Sequence, residues 1–236
     1  MVAVLWHQLQ RKSLSPGGGL VVVEMDPTTT SVADGCFLCA PPEDLVFARK
    51  GAAYALCGLG PIVPYYTIIA AHGHVPSWAD DHLDGGNSLF PLLLEIRAMF
   101  RRMGMEVAVG EHGRVPLCVE TLVADRHCYH AHLLVFPNVP EQSPELLSNF
   151  GVTTKHSAWS DSLRAAGPDE YFLFSQNEYS WDICSGPSGA PRQLLRRMVA
   201  SSIKRPELAS WREYPNRQDA LRYAEELRQE WEMRHE

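Results

Sequence analysis

The chain has 236 residues, enough for one large domain or a domain with an appendage, since domains cluster near about 100–150 residues. Hydrophobic residues at 45% and aromatics at 9% can build a sizeable core, which excludes wholesale disorder. Against 28 Asp and Glu stand 21 Lys and Arg, a formal charge of −7 that argues against bulk coating of nucleic acid or anionic membrane, though a local basic cluster could hold a phosphate.

Residues 1–34 read as a flexible lead-in. Arg11 and Lys12 precede the run Gly17-Gly18-Gly19 with no extended apolar region and no small-residue cleavage site, so no secretory signal is expected, and Met25 is a second candidate start. The apolar runs Leu20 to Val23 and Phe90 to Leu94 fall far short of the roughly 20 residues of a membrane span. The expected compartment is the cytoplasm, where six cysteines serve as thiols or metal ligands rather than disulfides.

From Gly35 the chain becomes dense in elements. Strands are expected over Ala53 to Leu59 and over the β-branched and aromatic stretch Tyr65 to Ala71. Asn87 or Ser88 can cap a helix whose apolar residues Leu89, Leu92, Leu93, Ile96, Met99, Phe100 and Met103 keep helical spacing, and Gly104 ends it. Strands follow at Met105 to Gly110 and Tyr129 to Phe136, closing an α+β sheet domain over 35–140. Over 141–236, Pro-Ser-Gly loops lead to a strand Tyr171 to Ser175, a helix Gln193 to Ile203 and a charged helix Arg217 to Arg234. The last of these carries Leu221, Ala224, Leu227 and Trp231 on one side, the pattern of a packing helix.

Three of the ten histidines fall within Arg126 to Pro137. Alternate strand residues share a face, so His130 and His132 project together while Ala131, Leu133 and Val135 face a core. Such a strand presents imidazoles to a pocket, or carries two surface histidines. Early in the chain, Cys36-Phe-Leu-Cys39 has the spacing of paired zinc thiolates, two ligands short of a tetrahedron. The same spacing suits a pair of buried thiols. Cys57, Cys118, Cys128 and Cys184 lie in apolar or loop contexts that suit packing residues.

His130-Ala-His132-Leu-Leu134-Val-Phe-Pro137 resembles the signature of the histidine triad (HIT) superfamily, His-φ-His-φ-His-φ-φ. The similarity extends to Cys36-x-x-Cys39, to Thr67 through His72-Gly-His74-Val75, and to Glu111-His112-Gly113, which resembles a motif of a bacterial HIT subgroup. It covers about residues 35–140 and implies a HIT-like antiparallel sheet with a long packing helix and a C-terminal helical extension. It also implies a nucleotidyl hydrolase or transferase acting on a nucleotide or nucleotide conjugate. The middle histidine, here His132, attacks the α-phosphorus and forms a nucleotidyl-histidine, with His130 in the first position. The third position is Leu134, which offers no hydrogen bond, and His127 or His112 could supply the missing donor.

In zinc-bearing members the two remaining ligands are a histidine after the strand and the first triad histidine. These map onto His74 and His130, with His72 a rival for the former, and the implied zinc is structural. Beyond residue 140, Gln193-x-x-Arg196 and Trp211-Arg212 resemble the subgroup's extension. Gln193 and Arg196 are expected to close over the phosphate, because guanidinium forks match phosphate oxygens, or else to lie on a solvated helix face. With Glu111, His112 and His127 they make the candidate substrate-binding set. The alternative to an enzyme is a nucleotide-binding protein that lost catalysis with its third histidine. An RNA-associated role is disfavoured, as no Lys/Arg-rich groove with interleaved aromatics is visible. The small HIT proteins are commonly homodimers, a role the extension could replace by packing on the sheet.

Overall fold

The computed structural model describes residues 36–83, 89–114, 130–142, 145–149, 151–185 and 193–235. The N-terminal lead-in, His127, Cys118 and Cys128 lie outside the described residues. Eight strands form one antiparallel sheet: β1 Val46–Lys50, β2 Ala53–Cys57, β3 Thr67–Ala71, β4 Val107–Gly113, β5 His132–Pro137, β6 Val152–His156, β7 Tyr171–Ser175 and β8 Trp181–Ser185. Their spatial order is β1-β2-β3-β5-β4-β7-β8-β6. The helices are α1 Trp78–Leu83, α2 Leu89–Arg102, α3 Glu145–Ser148, α4 Trp159–Ala165, α5 Leu194–Ser202 and α6 Arg217–His235. The fold is therefore α+β, and α6 packs along β1 and β2. No helix among the described residues is long and apolar enough to cross a membrane.

Alternation along the strands sorts side chains onto two faces. The first face carries Ala55, Ile69, Leu133, Val109, Leu173 and Ile183, which belong to one buried cluster with the apolar stripe of α2. That stripe is Leu89, Leu92, Leu93, Ile96, Met99 and Phe100. Each such fully buried side chain contributes about 1.5–3 kcal/mol relative to exposure. The helix ends as its sequence predicts. Gly104 adopts φ 73°, its N–H donates to Arg101 O at 3.0 Å, and Met105 N–H reaches back to Phe100 O at 2.8 Å. Together these bonds make a Schellman cap.

The second face carries Ala108, Phe136, Phe172, Phe174 and Cys184, covered by Leu194, Leu195, Met198 and Val199 of α5. Gly110 lets α5 approach, because a Cβ there would lie 2.8 Å from Leu195 Cδ1.

The stretch after residue 140 is not only helical. β7 pairs directly with β4, Gly110 opposite Phe174, so β7, β8 and β6 continue the same sheet. Strands β1, β6 and β8 and helices α1, α3 and α4 are additions to the sequence-based expectation. β4 runs three residues beyond Gly110, through Glu111, His112 and Gly113, because the polar pair finds partners on opposite faces.

Glu111 is 1% exposed and points into the first face. It accepts the Trp78 N–H at 2.7 Å, at the start of α1, and the Tyr171 hydroxyl. Burial raises its pKa to about 7, against the lowering effect of these two hydrogen bonds. The folded protein therefore holds this proton more tightly than the unfolded chain does. The associated stability is full below the unfolded carboxylate value of 4.5 and is lost as pH rises through about 7. The loss is on the order of 3 kcal/mol. Glu111→Gln is expected to flatten this loss, so that denaturant unfolding from pH 4.5 to 8 shows a smaller decline in the variant than in wild type.

Candidate metal and histidine site

The residues at the start of β5 gather the side chains that carry chemistry. Cys36 and Cys39 lie on a turn closed by Cys39 N–H to Cys36 O at 3.2 Å and tied to β2 by the Tyr54 hydroxyl, which donates to Leu38 O. His74 lies in the loop after β3, whose Val75 carbonyl accepts Ala131 N–H at 2.7 Å. Cys36, Cys39, His74 and His130 converge there, their donor atoms all within 4.8 Å of one another.

The spacing suits a tetrahedral ion. Metal–sulfur and metal–nitrogen bonds of about 2.3 and 2.0 Å at a tetrahedral angle separate S and N by about 3.5 Å. The observed separations are 3.5 Å for Cys36 Sγ to His130 Nδ1, 3.6 Å for Cys39 Sγ to His130 Nδ1, and 3.1 Å for Cys39 Sγ to His74 Nδ1. His130 is prepared as a ligand: its Nε2–H donates to Ala71 O at 2.8 Å, which fixes the tautomer and aims the Nδ1 lone pair at the thiols. His72 is not among the four. Its backbone N–H donates to Ala52 O at 2.8 Å, and its ring lies against Tyr54, centroids 5.2 Å apart. All four donors come from the protein, so an ion held here has no open position.

His132 follows on the second face. Its Nδ1–H donates to the His130 carbonyl at 2.7 Å, leaving Nε2 with the lone pair. Burial lowers its pKa, and the bond to His130 opposes this. His112 occupies the same face of β4, two residues past Gly110, which is paired with Leu134. The His112 ring lies on Phe172 with centroids 3.8 Å apart, and its Nε2 is hydrogen-bonded to the Glu170 carboxyl. Burial lowers the His112 pKa, with His132 adding to the effect, and burial raises that of Glu170. Both shifts favour an uncharged pair sharing one proton. Leu134 is half-buried among the apolar residues of the second face. Glu111, adjacent in sequence to His112, is buried on the opposite face and away from this group.

Gln193 and Arg196 share the Ala209 carbonyl as an acceptor. Arg196 is 5% exposed. It donates Nε–H to Ala209 O at 2.9 Å and Nη2–H to Gly60 O at 2.7 Å and Leu208 O at 3.0 Å, over the Tyr66 ring. With its amide oriented to suit its neighbours, Gln193 donates to Ala209 O at 2.7 Å and accepts from Trp211 Nε1 at 3.2 Å. The Gln-x-x-Arg and Trp motifs thus clamp residues 208–211 against the start of α5. Glu170, which partners His112, is a site residue that sequence reasoning missed, because it lies 58 positions away in a polar loop.

Arg196→Ala removes the guanidinium from the Gly60 and Leu208 carbonyls and leaves the Ala209 carbonyl to Gln193 alone, and a loss of about 3 kcal/mol is expected in urea denaturation. Arg196→Lys restores only part of it, since an ammonium cannot span the same fork.

Compared with protein-family models and with curated proteins, the chain matches none.

Proposed function

We propose that the chain is a histidine-triad protein that transfers a nucleotidyl group through His132 to water or another acceptor, with a structural zinc held by Cys36, Cys39, His74 and His130. The observation that carries this reading is the bond from His132 Nδ1–H to the His130 carbonyl, which leaves Nε2 as the nucleophilic atom. In the first step Nε2 bonds to the α-phosphorus as the bridging P–O bond breaks and the leaving oxygen takes the electron pair and a proton. Water then attacks phosphorus, the N–P bond breaks with its electrons returning to Nε2, and the proton that water gives up replaces the one spent on the leaving oxygen. The bound zinc supplies orientation alone. His130 couples it to the reaction, because one residue offers its ring to the ion and its carbonyl to His132.

The proton for the leaving group would come from His112, since Leu134 has none to give. With the shared proton on Glu170, His112 has an Nδ1–H to donate on the face of His132, and as that proton leaves the Glu170 proton passes to Nε2, so the ring stays neutral and the carboxylate takes the charge. A second reading, nucleotide binding without turnover, is favoured by the apolar surroundings of Leu134. Leu134→His discriminates: it raises turnover if the protein lost catalysis with that residue, and does little or disturbs packing if His112 already acts.

Two outcomes are expected. Intact-mass measurement after mixing with a panel of nucleoside 5′-diphosphate derivatives should reveal a nucleotidyl adduct in wild type and none in His132→Asn. His112→Phe should slow turnover about 10²–10⁴-fold, the worth of a general acid. Equal rates in wild type and His132→Asn on every nucleotide would leave the binding reading standing.

Protein purified without chelators should carry about one zinc per chain by elemental analysis, and Cys36→Ser should lower both zinc content and melting temperature. Zinc-free wild type of unchanged stability would remove the metal from the reading.

A further inference from the structure

A cavity of about 320 Å³ opens beside the first face, away from the histidines, where the last turns of α2 meet the segment entering β4 and the β7–β8 turn. Arg97 and Arg101 enter it from α2, Glu106 precedes β4, and Glu178 and Tyr179 come from the turn. Arg97 lies within the buried stripe of α2, four residues after Leu93, and is 5% exposed.

Its guanidinium sits 5.2 Å from the Trp181 ring centre, and Nη2–H donates to Ser175 Oγ at 3.2 Å. Its Nε has no hydrogen-bond partner. Among the described residues no carboxylate forms an ion pair with it. Burial lowers its pKa to about 10, so it still carries its charge at neutral pH. Glu178 and Glu106 favour its charge from a distance without forming an ion pair, so part of the cost of burial remains, and an arriving anion in direct contact removes it.

Arg101 stands at the mouth. Its Nη2 meets Glu178 Oε1 at 2.9 Å, both side chains being partly exposed. We propose that this cavity binds a small organic oxyanion, a carboxylate or phosphate, on Arg97 and Arg101, with the Glu178 carboxylate as its internal competitor. Guanidinium forks match both oxyanions, and the volume falls at the lower end of the roughly 300–1,000 Å³ of small-molecule sites. Met105 and Val107 give the cavity an apolar wall, and the Tyr179 ring, 74% exposed, offers a surface at the rim for a planar body.

Titration calorimetry with sodium acetate, benzoate and inorganic phosphate, each against sodium chloride at equal ionic strength, tests the site. Saturable binding is expected in wild type and equally in His132→Asn, which separates it from any phosphate held near the histidines. Preference between the carboxylates and phosphate assigns the ligand class, and benzoate should exceed acetate. Arg97→Met, which removes the charge and keeps the bulk, should weaken binding at least about tenfold. Glu178→Gln, on a surface turn, should tighten it by roughly two- to fivefold by freeing Arg101. Glu178→Gln decides alone if Arg97→Met does not fold. Absence of saturable binding by all three anions, or affinities unmoved by the substitutions, overturns the proposal.

Discussion

One residue, His130, holds together parts of the chain that are far apart in sequence. Its Nε2–H binds Ala71 O at the end of β3, its Nδ1 faces the thiols of the 36–39 turn, and its carbonyl receives His132 Nδ1–H. No bond in this set can change without disturbing the others. Rotating the ring to satisfy a different carbonyl would turn the Nδ1 lone pair from Cys36 and Cys39. Shifting the backbone would release the proton that sets the His132 tautomer. The group Cys36, Cys39, His74 and His130 therefore also fastens the 36–39 turn, together with the bond from the Tyr54 hydroxyl to Leu38 O.

The pleat explains why neighbours in sequence have different fates. Glu111 and His112 are consecutive, yet one is sealed against α1 and Tyr171 while the other lies beside His132. The same alternation separates Leu133, buried under α2, from Leu134 on the face beneath α5. A strand with both faces covered has no solvent side for its polar residues. Each must then find a partner within the fold, as Glu111 does with Trp78 and His112 with Glu170.

What could be read in advance was what local chemistry determines. The 3.6-residue stripe of α2, its glycine cap and the two-residue alternation of β5 are written within single stretches of chain. The Cys-x-x-Cys pair was visible and the resemblance pointed to His74, while the exclusion of the rival His72 comes from its ring lying against Tyr54 of β2. Arg196 looked available for a phosphate. Its donors go instead to carbonyls at Gly60, Leu208 and Ala209, a decision made by a segment that no local pattern connects to it. Strands β1, β6 and β8 are no shorter than β2, β3 and β7, but Arg49 and Lys50, Thr153 to Lys155, and Asp182 interrupt the apolar run that marks the other three. Arg97 did leave a trace, a charge inside an otherwise apolar helical stripe.

The strand order also governs what happens while the chain is being made. β4 is hydrogen-bonded on one side by β5 and on the other by β7, whose last residue is Ser175. As synthesis proceeds from the N-terminus, β1 to β5 can assemble well before β7 leaves the ribosome, and until then β4 offers an open edge with buried-type residues Val107, Ala108 and Val109. An unpaired apolar edge is a template for another chain. At about 5–20 residues per second, the nearly 40 positions between the ends of β5 and β7 keep that edge open for seconds, the interval in which a chaperone has most to protect.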